Sequence, residues 1–432
     1  MIHLPLTLRL KLGLFFPWRL PYGRAIGFGW RRRKWLLTSP EDVRHVLTVR
    51  SDNYVKSEHL VSEHGRNRVG RGLLTAAGDR HHALRRLLWP AFRPNEIAAH
   101  YGLLISQRVQ QALEQWVASP SIDLFQATAD LIRSILWSVL FGPDFCDCEF
   151  DRAARIRRRY NEYFYSSPLP GRQHWPFPVV WQHRQALATI RFTLKREMAR
   201  VGQQGSSHPC YLDYLFKARF PDGRPLSETE VYDELLPLTT TGYETAGDGL
   251  AWMLLQMARF PEVFHRLQAE VDEQVGSRQP QASDLARLGF ADSVQLEVLR
   301  LFPPTWTYVR VPLSADRLPT GAAISQSDLL FLCPYVLHRH PEFFPQPQHF
   351  LPQRFAPEVD RRPLQFVYFP FGIGAHRCIG EHLARLEMLL ALVMVARHCN
   401  LELLAGHRVS PVPGLTLRAS GPVRVRLRWR KP

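Results

Sequence analysis

A chain of 432 residues, 45% of them hydrophobic, carries enough apolar surface for a substantial core, and length alone allows about two or three domains. Its formal net charge of +16, from 55 Lys and Arg against 39 Asp and Glu, raises nucleic acid or an acidic membrane as a partner. No nucleic-acid-binding motif accompanies the runs Arg31-Arg32-Arg33 and Arg157-Arg158-Arg159, which leaves solvated helix faces or a basic surface that steers an acidic protein. The 6 cysteines, at 146, 148, 210, 333, 378 and 399, lack the spacing of a disulfide framework, so a small secreted scaffold is excluded and reduced thiols in the cytoplasm are expected. Cys146-x-Cys148 has no matching His/Cys pair and is not read as a metal site.

Residues 1–22 read as a short lead. Arg9, Lys11 and Arg19 surround an apolar run from Leu12 to Trp18 that is broken by Gly13 and Pro17. It falls short of the roughly 20 residues that span a bilayer and lacks a small-residue cleavage site. At most, Leu14, Phe15, Phe16 and Trp18 would touch a membrane surface. Strand-like segments follow, with Lys34 to Thr38 as strand and Pro40 to Val49 as a helix opened by Ser39 as N-cap. Lys56 to Gly72 is polar and reads as irregular. Between Gly78 and Phe92, His81 and Arg85 lie four apart on one helix face. Ile122 to Phe141 and Asp151 to Tyr165 read as helices separated by Gly142-Pro143; Pro168, Pro170, Pro176 and Pro178 then impose a loop over 166–178 that also carries Trp175 and Phe177.

Ser227-Glu228-Thr229-Glu230 is a capping box, and helical periodicity runs from it to Phe260, where Pro261 ends the helix. Such a helix, about 50 Å long at ~1.5 Å per residue, crosses a whole domain. Its centre, Thr239-Thr240-Thr241-Gly242-Tyr243-Glu244-Thr245-Ala246, is unusually polar for a segment that must be buried, and buried polar groups need partners or a purpose. Pro237 removes one helical hydrogen bond, at a cost of about 3 kcal/mol unless accommodated locally. Further on, Glu297 and Arg300 share a helix face at i, i+3 and precede Pro303-Pro304; Pro352-Gln353-Arg354-Phe355 comes later.

The most specific element is Phe371-Gly372-Ile373-Gly374-Ala375-His376-Arg377-Cys378-Ile379-Gly380, a glycine-punctuated loop with one cysteine that opens into an apolar helix pattern from Glu381 to Arg397. Glycines let the backbone close on the sulfur, and a helix N-terminus is expected to lower the thiol pKa. A thiolate so held suits haem iron, where it pushes electron density toward O–O cleavage. The pattern F-x-x-G-x-(H/R)-x-C-x-G is too specific to expect by chance in a chain of this composition.

This loop resembles the haem-binding signature of the cytochrome P450 family, and the motifs from Gly23 to Arg428 follow that family's order. The resemblance implies a mainly α fold with small β-sheets, a single large domain over 23–432, and haem b held through Cys378, with Phe371, Gly372 and Gly380 shaping the loop. It implies propionate contacts from His81, Arg85, Arg310 and His376, and a structural lock of Glu297, Arg300 and Arg354. The central helix resembles the family's (A/G)-G-x-(D/E)-T element. Gly242 and Thr245 would open a groove for O2, Glu244 and Thr245 would relay protons, and Thr241 would add a hydroxyl where a small residue is usual.

The implied activity is insertion of one atom of O2 into an apolar or mixed-polarity organic substrate, by hydroxylation or epoxidation, in specialised metabolism. Reducing equivalents would come from NAD(P)H through a separate ferredoxin or flavodoxin-type donor, since no reductase domain is fused. The resemblance further implies a monomer, no nucleic acid partner, and Lys56 to Gly72 with 166–178 as the substrate gate. The same fold could instead run peroxide-driven oxidation, oxidative coupling or rearrangement, and a haem-binding sensor or carrier without turnover is the alternative of another class.

Overall fold

A computed structural model describes residues 2–3, 19–20, 22–28, 33–166, 178–206, 208–404 and 409–430. The helices are α1 (Pro40–Arg44), α2 (Glu58–Val61), α3 (Glu63–Val69), α4 (Gly78–Leu88), α5 (Pro94–Ala118), α6 (Leu124–Phe141), α7 (Cys148–Ser166), α8 (Pro178–Gln204), α9 (Tyr211–Lys217), α10 (Glu228–Arg259), α11 (Pro261–Val275), α12 (Gly289–Leu301), α13 (Pro334–Leu337) and α14 (Glu381–His398). Strands β1 (Ile2–His3) and β2 (Arg19–Leu20) pair with each other. The main sheet has five strands in the order β3 (Ala25–Phe28), β4 (Lys34–Leu37), β10 (Leu329–Leu332), β7 (Tyr308–Pro312), β5 (Tyr54–Lys56). A separate pair is formed by β8 (Asp316–Arg317) with β9 (Ala323–Ile324). Near the C-terminus come β11 (Cys399–Leu403), the hairpin β12 (Pro411–Pro413) with β13 (Leu417–Ala419), and β14 (Arg424–Trp429). Strand β6 (Ile122–Asp123) joins a three-stranded sheet in the order β11, β14, β6. Helices dominate and the sheets are small, as the resemblance implied.

Local chemistry explains most boundaries. Ser39 Oγ accepts from the Glu41 N–H at 3.2 Å and starts α1, but the helix passes into a π-helical turn over His45–Val49 instead of continuing as α. Ser227 and Glu230 form the expected capping box at α10. The segment read as irregular, 56–72, is a correction: it holds β5's last residue and the short helices α2 and α3, with Ser62 Oγ accepting from Gly65 N–H at 3.3 Å. Helices this short need only a cap and a few local bonds, so their polar sequence shows no apolar stripe.

The core is organised around α10, which packs along α6. A side chain at Gly247 would come within 2.9 Å of Ala129 Cα, so its absence lets the two helices approach. Trp252, fully buried, stacks on Phe302 with ring centroids 4.1 Å apart and donates its indole N–H to Leu417 O at 2.8 Å. This fixes the β12–β13 hairpin against α10. Among the described residues, α6 is the one helix long and apolar enough to cross a membrane, and 78% of it is buried within the fold, as befits a core helix.

Candidate active site

Cys378 sits where the loop turns into α14. Its N–H donates to Phe371 O at 2.8 Å, and Gly372 and Gly374 adopt φ of +76° and +71°, which side chains rarely tolerate. Gly374 also lies so close to Leu47 O that any side chain there would collide with the π-helical turn. Gly380 is the N-cap residue of α14. The Cys378 thiol is unpaired and exposed, yet its surroundings desolvate a thiolate, the combination expected of an internal cleft.

Burial pushes this thiol up to about 11, offset in part by the Gly380 N–H and by Arg85 and Arg377, while Glu381 raises it further. The expectation of a thiol lowered by the helix N-terminus is therefore corrected: desolvation outweighs the dipole, and the first residue of α14 is an acid. A metal ion deprotonates a coordinating thiol outright, so the site is suited to a ligated sulfur more than to a free nucleophile.

Basic side chains gather around the cleft. His81 Nε2 and His376 Nδ1 are 3.1 Å apart with ring centroids at 4.2 Å, and Arg85 Nη1 donates to Arg377 O at 2.6 Å, tying α4 to the cysteine loop. Arg310 is buried, with Nη1 bonded to Val309 O at 3.1 Å. Opposite it in the β5–β7 register stands Lys56, whose Nζ donates to Leu73 O, Leu74 O and Ala76 O at 3.1, 2.7 and 3.2 Å. Burial lowers His81 to about 4, with Lys56 and Arg85 adding to the effect. His376 falls to about 2 from burial, then Lys56 and His81, and Lys56 to about 7 from burial and Arg310.

Burial lowers the pKa of all five groups, and none forms an ion pair with a carboxylate among the described residues. An accessible cysteine beside a cradle of basic side chains without carboxylate partners, two of them neutral imidazoles able to donate a hydrogen bond, fits an iron porphyrin with two carboxylates. The sequence motifs had pointed to four of the five. Lys56 was missed because its partner strand lies far away in the chain, and no local pattern marks it.

On α10, Thr245 Oγ1 donates to Thr241 O at 3.2 Å and Thr241 Oγ1 to Pro237 O at 2.9 Å, so both hydroxyls share one face. Glu244 is turned elsewhere, since adjacent helical residues point about 100° apart. It is buried and accepts from Asn161 Nδ2 of α7 at 3.2 Å. Burial raises it to about 7, while Arg158 lowers and Asp248 raises it. At Gly242 a side chain would meet Leu136 of α6 at 2.8 Å, so the glycine lets α10 and α6 pack closely. The Pro237 region is covered from outside by residues 70–73. A side chain at Gly70 or Gly72 would come within 2.8 or 2.6 Å of Asp233 O, and Glu234 accepts from Leu73 N–H at 2.9 Å.

Glu297 and Arg300 are fully buried and doubly bonded, at 2.6 and 2.8 Å. Arg354 joins at 3.5 Å, and Arg300 also donates to the carbonyls of His338, Pro347 and His349. Of the gate segments, 167–177, with Trp175 and Phe177, lies outside the described residues.

The sequence profile described as Cytochrome P450 matches residues 23–425. Cyclooctat-9-en-7-ol 5-monooxygenase of Streptomyces melanosporofaciens is 30% identical over 393 residues, covering 89% of this chain and 82% of the relative. Cyclooctatin synthase of the same organism is 30% identical, covering 91% and 86%, and pentalenene oxygenase of Streptomyces avermitilis 26%, covering 91% and 87%. In solved structures, retinoic acid bound cyanobacterial CYP120A1 superposes with a TM-score of 0.82 at 23% identity, over 94% of this chain and 92% of that one. The cytochrome P450DA heme domain gives 0.84 at 20%, over 94% and 90%. At such identities the structures speak to the fold alone. With a family profile spanning nearly the whole chain and monooxygenases among its relatives, this chain belongs to the cytochrome P450 family and is a haem-dependent monooxygenase.

Proposed function

We propose that the protein oxidises a polycyclic, terpenoid-like substrate, apolar or of mixed polarity, by hydroxylation or epoxidation. Reducing equivalents would pass from NAD(P)H through a separate ferredoxin or flavodoxin-type donor. The observation that carries the reading is the accessible Cys378 beside basic side chains that have no carboxylate partner among the described residues. The substrate class rests on the Streptomyces relatives, two of which are named for cyclooctat-9-en-7-ol and pentalenene. The protein acts as a cytoplasmic monomer, with 23–432 as the catalytic domain and 1–22 as its lead.

In this reading Cys378 ligates iron, His81, Arg85, Arg310 and His376 hold the propionates, and Phe371, Gly372 and Gly380 shape the loop around the sulfur. When bound, the haem supplies O2 binding and O–O cleavage. The chain supplies protons and order: Thr241 and Thr245 present hydroxyls on one face of α10, and Glu244, raised to about 7, is poised to take and give a proton at neutral pH. Glu297, Arg300 and Arg354 hold the cysteine-side scaffold rigid. Glu244 and Thr245 together favour O2 over peroxide as oxidant, because a peroxide-driven enzyme needs no proton supply.

The test is spectral and catalytic. Reduced, CO-treated protein should show the red-shifted band of thiolate ligation, and Cys378→Ala should abolish it; retention of the band would refute the ligand assignment. Thr245→Ala should go on consuming reductant and O2 while releasing peroxide in place of product.

A further inference from the structure

A second cleft, of ≈ 450 Å³, lies where the N-terminal ends of α5, α12 and α14 converge, and none of its lining residues belongs to the cysteine loop, the basic cradle or α10. That volume falls within the range of about 300–1,000 Å³ common for small-molecule sites. From α14 come His382, Arg385, Leu386 and Leu389, spaced i, i+3, i+4 and i+7 and so on one face of the helix.

The two ends of the cleft differ in chemistry. Ile97 of α5, Leu288 ahead of α12, and Leu386 and Leu389 are at most 9% exposed and form an apolar inner end. At the mouth, the side chains of Asp292, Arg385 and Arg361 are 26%, 33% and 41% exposed. Part of the wall is backbone and ring: Pro94 opens α5, Gly289 opens α12, and a side chain at Gly289 would come within 2.9 Å of Pro357 Cγ. Such residues have no rotamers with which to fill the space.

The two arginines are held by the fold and still have donors to offer. Arg385 Nη2 donates to Asp292 Oδ1 at 2.5 Å and Nε to Gln295 Oε1 at 3.1 Å, while the fully buried Gln295 donates Nε2 back to Arg385 O at 3.0 Å. This bracing leaves Arg385 Nη1 without a hydrogen bond among the described residues. Arg361 Nη2 donates to Phe355 O at 3.0 Å, and its Nη1 stands 3.7 Å from Asp292 Oδ2, beyond hydrogen-bond reach. Two guanidiniums thus share one carboxylate, and one positive charge is left over. An ion pair that only tied α12 to α14 would need a single arginine and would not stand over an open apolar space.

We propose that this cleft binds an amphipathic monocarboxylate, its apolar body against Leu288, Leu386 and Leu389 and its carboxylate on the open edges of Arg385 and Arg361. A planar guanidinium held by its neighbours is preorganised for a carboxylate, and a neutral ligand would leave the surplus charge unanswered. The ligand would bridge three helices and bear on α14 from His382, four residues beyond Cys378. It is therefore an effector that steadies the cysteine-side scaffold, and not a second substrate.

Decanoate is the probe. The haem-loaded protein is first saturated with the azole clotrimazole, which ligates the iron and fills the substrate side, so that binding there is not counted. Titration calorimetry should then show a single site for decanoate. Decanol, which lacks the charge, should bind roughly 10- to 150-fold more weakly for want of a charge-assisted hydrogen bond. Each methylene removed from decanoate should cost about fourfold. Arg361→Gln and Arg385→Gln should each weaken decanoate while sparing decanol. Ala98→Phe, which fills the cleft from an exposed position on α5, should abolish binding. Decanoate should also raise the urea midpoint of the wild type by mass action and leave that of Ala98→Phe unchanged. If Ala98→Phe does not fold, Ala286→Phe, in the turn Ala282–Arg287 on the facing wall, decides in its place. Acetate binding as tightly as decanoate would reduce the cleft to a surface anion contact and overturn the proposal. So would the absence of decanoate binding in the azole-blocked wild type, or binding that survives a folded cleft-filling variant.

Discussion

Arg310→Leu has two consequences of opposite sign. In the protein without haem, Arg310 is buried among Lys56, His81 and His376, and among the described residues its hydrogen bond goes only to the neighbouring Val309 carbonyl. Leucine removes a like charge from that cluster and breaks no long-range contact, so the apoprotein should become more stable to urea, and Lys56 should titrate above its present value of about 7. With haem bound, the change deletes a charge-assisted hydrogen bond to a propionate, worth about 1.5–3 kcal/mol, or roughly 10- to 150-fold in affinity at ~1.4 kcal/mol per decade. Urea unfolding of the apoprotein followed by tryptophan fluorescence measures the first effect, and the rate of haem transfer to excess apomyoglobin the second. A variant less stable as apoprotein with unchanged haem transfer would show that Arg310 is structural, and the cradle argument would fall.

Glu297→Gln leaves the fully buried Arg300 without its carboxylate; breaking a buried pair costs about 3–5 kcal/mol, which a urea titration should detect as a large fall in midpoint. Lys56 has a folded pKa of about 7 against 10.5 unfolded, so between those values the unfolded chain binds more protons and apoprotein stability should rise with pH. Lys56→Met should flatten that rise in pH-dependent urea melts. Finally, a donor steered by the +16 net charge should reduce the protein more slowly as ionic strength rises, because exposed charges act over only about 10 Å at 0.1 M salt. A stopped-flow rate indifferent to salt would mean the basic surface serves another purpose.

Features built from neighbours in sequence could be read in advance. The Ser227–Glu230 box, the cysteine loop and the Glu297/Arg300 spacing each carry their geometry within a few residues, because a cap, a tight turn or a helix face is a local object. What escaped needed distant partners. Gly242 sits inside a string that looks like an oxygen groove, yet its packing neighbour is Leu136 on another helix. Lys56 acquires meaning only opposite Arg310. Asp248 reads as one more polar residue until Arg158 and Thr416 close on it. The Cys378 thiol went the other way from the dipole argument because desolvation depends on the whole fold around the sulfur.

Leu73 is gripped on both of its backbone polar groups, its N–H by the Glu234 carboxylate and its C=O by the Lys56 ammonium. Residues 57–72 therefore form a cassette fastened at one end by the β5–β7 pairing and at the other by a charged clasp. Changes in length or sequence within α2 and α3 are absorbed before they reach α4, where His81 and Arg85 stand. The region that would meet substrate can thus diverge rapidly in evolution, or be exchanged in the laboratory, while the residues proposed to seat the haem keep their places.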